Sequence, residues 1–237
     1  MNDIPQRTAA LIAGFSIVTM AIAAGFACSC VLNNFTVLDD IKLTINNMKS
    51  SQTLFRLGIF SFLVILICDL LAAWSLHVFL KRVNENLSLL TAWFRLVYSA
   101  MLGTALLNLV FIVLLFKNED FLSIFGRDQV SALAILFLHG FHLIWSIGLV
   151  IFGCHLLLLG YLLSKANYTP KIFSVLLIIA SLCYIIHHTA NLLLLNYEKY
   201  KTTVEIFLSL PMIVGELGFG LWLLVRGGKK CEDKKLN

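Results

Sequence analysis

The sequence predicts an all-α fold: a polytopic membrane protein forming a six-transmembrane-helix bundle with both termini cytoplasmic. Three observations point there. Six apolar runs long enough to cross a bilayer divide the chain. Only 13% of its 237 residues are charged, against about 25% in a soluble domain, and mean hydropathy is +0.90. Basic residues concentrate on alternate connections between the runs.

The runs fall at about 8–33, 57–80, 96–116, 130–163, 172–195 and 204–225. Charge brackets them: Arg7 precedes the first, Arg56 and Lys81 flank the second, and Arg95 and Lys117 flank the third. Lys165 and Lys171 separate the fourth from the fifth, and Arg226 closes the sixth. Backbone groups in hydrocarbon must bond within their own segment, so runs of this length are helices. Residues 1–228 are expected to form one membrane domain, and 229–237 a basic cytoplasmic tail. The first run reads as a span rather than a signal peptide, because it exceeds a typical h-region and follows a single Arg.

With the N-terminus inside, the inner segments carry eleven Lys and Arg and the outer segments seven. The acids lean the other way, with Asp39, Asp40, Glu119, Asp120, Asp128, Glu198 and Glu205 outside. This places a multi-pass protein in the cell membrane. The basic residues flank spans instead of forming a patch, so nucleic acid is not an expected partner. The expected partners are the lipid bilayer, a small-molecule or lipidic ligand, and a second copy in a homo-oligomer. Two connections are long. Residues 34–55 suit a short amphipathic helix on the outer surface, and 117–129 has an apolar middle that suits docking on the bundle mouth.

Polar residues inside the runs are the functional candidates. Counting along the helices centres the second span on Asp69 and the sixth on Glu216. Each carboxylate would cost ~2.5–3.5 kcal/mol as an ion at the bilayer centre, so it must face protein or water. Asp69 reads either as a ligand- or proton-accepting carboxylate, or as a protonated acid bonded to Asn108 or His155. Glu216, near Pro211 and among Gly215, Gly218 and Gly220, reads either as a cavity wall or as a structural hydrogen bond to a neighbouring helix. On the fifth span Tyr184, His188 and Asn191 share one face, while His187 points ~100° away and packs elsewhere. Asn108 and His155 lie near mid-span. Together, Asp69, Glu216, His188, Asn191, Tyr184, His155 and Asn108 are expected to line a polar cavity.

All six histidines fall in or at the end of apolar runs. Zinc takes about four ligands at ~2.0–2.3 Å, and a metal site would have to draw on His142, His155, His188 and Glu216. His139 and His142 share a face at the outer mouth and are expected to bond loop 117–129. A haem would need histidines at matching depth, and His155 lies below His187 and His188. No metal or haem is therefore expected. The cysteines read as small buried hydrophobes, Cys28-Ser29-Cys30 being a weak metal or redox alternative. Arg95, at the inner edge of the third run, is expected to snorkel to headgroups.

The segments Phe94-Arg95-Leu96, GYLLSKANYTPKIFSVLL (160–177) and GELGFGLWLLVRG (215–227) resemble the bacterial membrane family known as domain of unknown function 4386. The resemblance runs from Arg7 to Gly227. Ser174 stands where that pattern has Gly. The resemblance implies the six-span topology and the two acids at Asp69 and Glu216, and it implies no activity. It does not extend to the His187-His188 pair.

The sequence thus points to a non-enzymatic membrane protein whose polar cavity binds a small or lipidic ligand or relays protons. An intramembrane metal-dependent hydrolase and a structural or partner-binding subunit are the alternatives.

Overall fold

The computed structural model describes residues 4–28, 41–117, 119–194 and 197–229. Seven helices and no strand form among the described residues: α1 (Gln6–Phe26), α2 (Ile41–Ser50), α3 (Gln52–Leu80), α4 (Glu85–Lys117), α5 (Glu119–Lys165), α6 (Lys171–Leu193) and α7 (Glu198–Val225). Six contain membrane-length apolar stretches: Gln6–Phe26, Gln52–Leu80, Glu85–Lys117, Asp128–Lys165, Lys171–Leu193 and Val204–Val225. The fold is all-α and the protein is multi-pass. The end of the first expected run, residues 29–33, lies outside the described residues.

Several helix boundaries have a local cause. Asn84 caps α4, its Oδ1 accepting from Leu87 N–H at 2.9 Å. Pro170 precedes α6 with extended backbone, φ −62° and ψ 131°. Gly126 interrupts α5 at φ 72°, a left-handed conformation natural to glycine, so the membrane-length part of α5 begins at Asp128. Whether 117–129 docks on a mouth rests largely on side chains outside the described residues.

The chain forms two compact units. One comprises Met1–Ala21, Ile67–Ala100 and Ser146–Asn237; the other comprises Ile22–Leu66 and Met101–Trp145.

In the first unit, small residues bring helices together, as expected where lipid supplies no hydrophobic drive between them. A Cβ on Gly160 would lie 3.1 Å from Ser174 O, and one on Gly153 3.1 Å from Ser181 O, so α5 and α6 approach backbone to backbone. Ser174 keeps this closeness and donates its hydroxyl to Gly160 O at 2.7 Å. Gly14 of α1 meets Gly220 of α7 in the same way, a Cβ falling 2.8 Å from Gly220 O. At one end of the unit Arg7 donates to the carbonyls of Leu223, Leu224 and Gly227 at 3.0, 2.6 and 2.7 Å. A guanidinium there answers both the carbonyls at the helix end and the negative end of the α7 dipole. Gln6 and Tyr168 both donate to Phe79 O beside it, at 2.9 and 3.0 Å.

In the second unit, α2 buries Thr44, Ile45 and Met48 and exposes Leu43 and Lys49, the two-sided character expected of the 34–55 connection. Phe62 meets Phe141 and Trp145 edge to face at 5.1 and 5.4 Å, and those two rings lie tilted against each other at 5.5 Å.

Candidate polar site

The site grows from the buried stripe of α4. Ser88, Thr91, Ala92, Arg95, Tyr98, Ser99 and Leu102 repeat at three- and four-residue spacing and are all buried, while Leu89, Trp93, Leu96 and Val97 between them face outward. Arg95 is thus a core residue by helical phase. It lies ten residues into α4, which puts it about 15 Å from the helix start. The expectation that it snorkels is corrected here: its side chain is only 3% exposed. The reason is that α4 begins at Glu85, eleven residues before the expected start of that span, so Arg95 sits inside the helix on its buried face rather than at the helix end.

Arg95 organises three helices. Its Nε donates to Asp69 Oδ1 on α3 at 2.9 Å, and its Nη2 lies 2.7 Å from the same oxygen. Its Nη1 lies 3.1 Å from His155 Nε2 on α5. A weaker contact runs from Nη2 to Met20 Sδ on α1 at 3.6 Å. The guanidinium also sits 5.3 Å over the Phe152 ring, a cation–π placement. The sequence left Asp69 as either a ligand- or proton-accepting carboxylate or a protonated acid bonded to Asn108 or His155; its hydrogen-bond partner is Arg95, a cation on a facing helix that compensates a carboxylate buried to 1% exposure. Both Arg95 bonds land on Oδ1, and Asp69 Oδ2 has no hydrogen-bond partner among the described residues.

The donor and acceptor pattern fixes the His155 tautomer. Its Nδ1 lies 2.9 Å from the carbonyl of Thr91, which can only accept. Its Nε2 faces a guanidinium, which can only donate. His155 is therefore the neutral Nδ1–H form, locked between α4 and its own helix.

Beyond this floor the rings continue along α6. Phe152 stacks on His155 and meets Tyr184 edge-on at 5.3 Å. Tyr184 stacks on His188 at 6.0 Å. Glu216 on α7 engages the Tyr184 hydroxyl and stands within electrostatic reach of Arg95 and Asp69. Glu216 and Tyr184 are enclosed by protein atoms, yet both keep accessible surface.

His188 and Asn191 converge on one hydroxyl: Ser146 Oγ lies 2.9 Å from His188 Nδ1 and accepts from Asn191 Nδ2 at 3.0 Å. His187 turns away as the helical phase requires. Its Nδ1 lies 2.7 Å from the Tyr197 hydroxyl and its Nε2 3.5 Å from Glu205.

Of the expected site residues, Asp69, His155, Tyr184, His188, Asn191 and Glu216 all lie in the first unit. Asn108 and His142 lie in the second. Asn108 turns its amide back onto the carbonyls of Thr104 and Ala105 at 3.4 and 3.2 Å, and its Oδ1 lies 2.8 Å from where a Cβ on Gly140 would be. Among the described residues no three His, Cys, Asp or Glu side chains meet as a metal-ligand group. The set His142, His155, His188 and Glu216 is not assembled as one. Cys28, Cys68, Cys154 and Cys183 form no disulfide, the first and third partly buried and the other two buried, and Cys30 lies outside the described residues. Arg95 and Ser146 were missed from sequence. Arg95 was legible in the α4 phase; Ser146 carried no signal beyond being a polar residue in an apolar run.

Residues 12–227 match the family described as "Domain of unknown function (DUF4386)". The chain belongs to that family. A relative from Archaeoglobus fulgidus, described as "Uncharacterized protein", is 33% identical over 175 residues, covering 74% of this chain and 85% of the relative. No solved structure matches the chain. The matched DUF4386 region spans Asp69, Arg95, His155, Tyr184, His188 and Glu216, the whole polar site.

Proposed function

We propose that this DUF4386 protein is a membrane binding protein rather than an enzyme. Its crevice at Glu216, Tyr184 and His188 receives the polar head of a small or lipidic ligand against the fixed Asp69–Arg95–His155 floor. The observation that carries this reading is the placement of a partly buried carboxylate, Glu216, beside an ion pair whose two members are almost fully buried. The floor provides a preorganised polar surface and the crevice provides access. Rings of Phe152, Tyr184 and His188 give the ligand apolar walls.

A second reading, proton relay, draws support from Asp69 Oδ2. A buried carboxylate oxygen without a partner costs about 1–3 kcal/mol or more, and a transient proton or water donor would relieve it. The charge asymmetry of the connections supports cytoplasmic termini in the cell membrane. The bonds from Arg7 to Leu223, Leu224 and Gly227 support both ends lying at one face.

A diazirine-bearing single-chain lipid, photolysed in nanodiscs containing the protein, tests the binding reading. Saturable cross-linking to the peptides carrying Tyr184–His188 or Glu216, removed by excess unlabelled lipid, is expected. Labelling confined to outward-facing side chains such as Phe207 and Ile213 would overturn it.

A further inference from the structure

The site holds two carboxylates and one guanidinium. Arg95 spends its Nε and one Nη2 bond on Asp69, so this pair is neutral as a unit. His155 is locked neutral by its two partners. Glu216 is then the surplus acid. The charged and titratable groups that act on it are Tyr184 from α6, Arg95 from α4 and Asp69 from α3. None of these supplies an uncommitted positive charge. An ionised Glu216 leaves the cluster with one net negative charge, to be matched by a proton or by a cation from outside.

Resting on the binding reading above, we infer that the crevice selects hydrophobic organic cations, each displacing one proton from Glu216 as it binds. The exchange balances: the protonated carboxyl releases its proton to water, and the carboxylate pairs with the cation. No covalent bond to the ligand forms.

Two further observations support this polarity. Asp69 Oδ2 is a buried acceptor without a hydrogen-bond partner among the described residues, in a side chain 2% exposed and within electrostatic reach of Glu216 and Tyr184. The walls are aromatic, with Tyr98 and Tyr184 both packed on Phe152, at 4.8 and 5.3 Å, and His188 stacked on Tyr184. Aromatic faces attract cations and are indifferent to their exact shape. An anionic head would instead meet Glu216 and Asp69, because the Arg95 fork is already occupied.

Three probes of similar bulk decide the matter: tetraphenylphosphonium, uncharged triphenylphosphine oxide and anionic tetraphenylborate. Each is titrated calorimetrically into detergent-purified protein, in buffers of different protonation enthalpy. Saturable binding of the phosphonium with release of about one proton is expected, its apparent affinity rising about tenfold per pH unit while Glu216 remains protonated. Glu216→Gln is expected to weaken binding more than tenfold and abolish proton release. Glu216→Asp keeps the charge and is expected to retain release, which preserves the test if the Gln variant fails to fold. Phosphonium binding without proton release, or unchanged in Glu216→Gln, overturns the inference. Equal, Glu216-dependent binding of the uncharged probe overturns cation selectivity and leaves the binding site standing. Saturable binding of none of the three overturns both.

Discussion

Arg95→Met is the most informative single substitution. It removes the guanidinium while keeping much of the side-chain volume, and leaves the Asp69 carboxylate at 1% exposure with neither of its bonds at Oδ1. It also strips the donor from His155 Nε2. Removing one partner of a buried pair costs about 3–5 kcal/mol, because the other charge is left uncompensated. Asp69→Leu strands the guanidinium instead and should cost a similar amount. Asp69→Leu combined with Arg95→Met removes both charges and should recover most of the loss, since an apolar replacement of a buried pair is often neutral or stabilising. Equilibrium unfolding of the wild type, the single variants and the double variant in bicelles gives the coupling directly. A cost below about 1 kcal/mol for Arg95→Met, or additive single losses, would refute the claim that this pair fastens α3 to α4.

Other outcomes follow from separate contacts. Gly14→Val should destabilise by about 1–3 kcal/mol through overpacking, since a Cβ there falls 2.8 Å from Gly220 O; Gly25→Val, with nothing within 4 Å of its Cβ position, should be near neutral in the same unfolding assay. Arg7→Met should speed amide hydrogen exchange at 222–228 and leave the α4 stripe unchanged, because it removes the guanidinium from three carbonyls at the end of α7. Burial, then the Glu205 carboxylate, raises the Tyr197 phenol above its ordinary value of 10.0. Its stabilising contribution is complete below about pH 10 and is lost as pH climbs through the folded-state value, so Tyr197→Phe should flatten the alkaline fall in stability. Nitrogen NMR should report His155 as the Nδ1–H tautomer, and the Nε2–H tautomer would contradict the hydrogen-bond assignment.

Much of the topology was legible because bilayer thickness imposes a minimum length on every span and apolar runs display it. The two mid-span acids were legible for the same reason: a charge in hydrocarbon stands out. Their partner was not. Arg95 was read from the edge of an apolar run, whereas the helix extends back to Glu85 through a polar turn that hydropathy alone does not include. The helical phase of Ser88, Thr91 and Tyr98 would have placed Arg95 in the core. The His187-His188 split followed from helix geometry alone, and the separate partners, Tyr197 and Ser146, agree with it. Which hydroxyl each ring would find depends on helix packing, which no spacing within α6 encodes. Asn108 shared the depth of the acids but belongs to the other unit, and depth carries no information about which helices face one another.

The central claim is that Glu216 is the accessible, exchangeable acid and Asp69 the fixed one. Dicyclohexylcarbodiimide is a hydrophobic reagent that couples to protonated carboxyls in apolar surroundings, and peptide mass mapping locates the adduct. The account predicts modification at Glu216 and none at Asp69, whose side chain is 2% exposed and held by Arg95. Modification of Asp69 as readily as Glu216, or of neither, would contradict it.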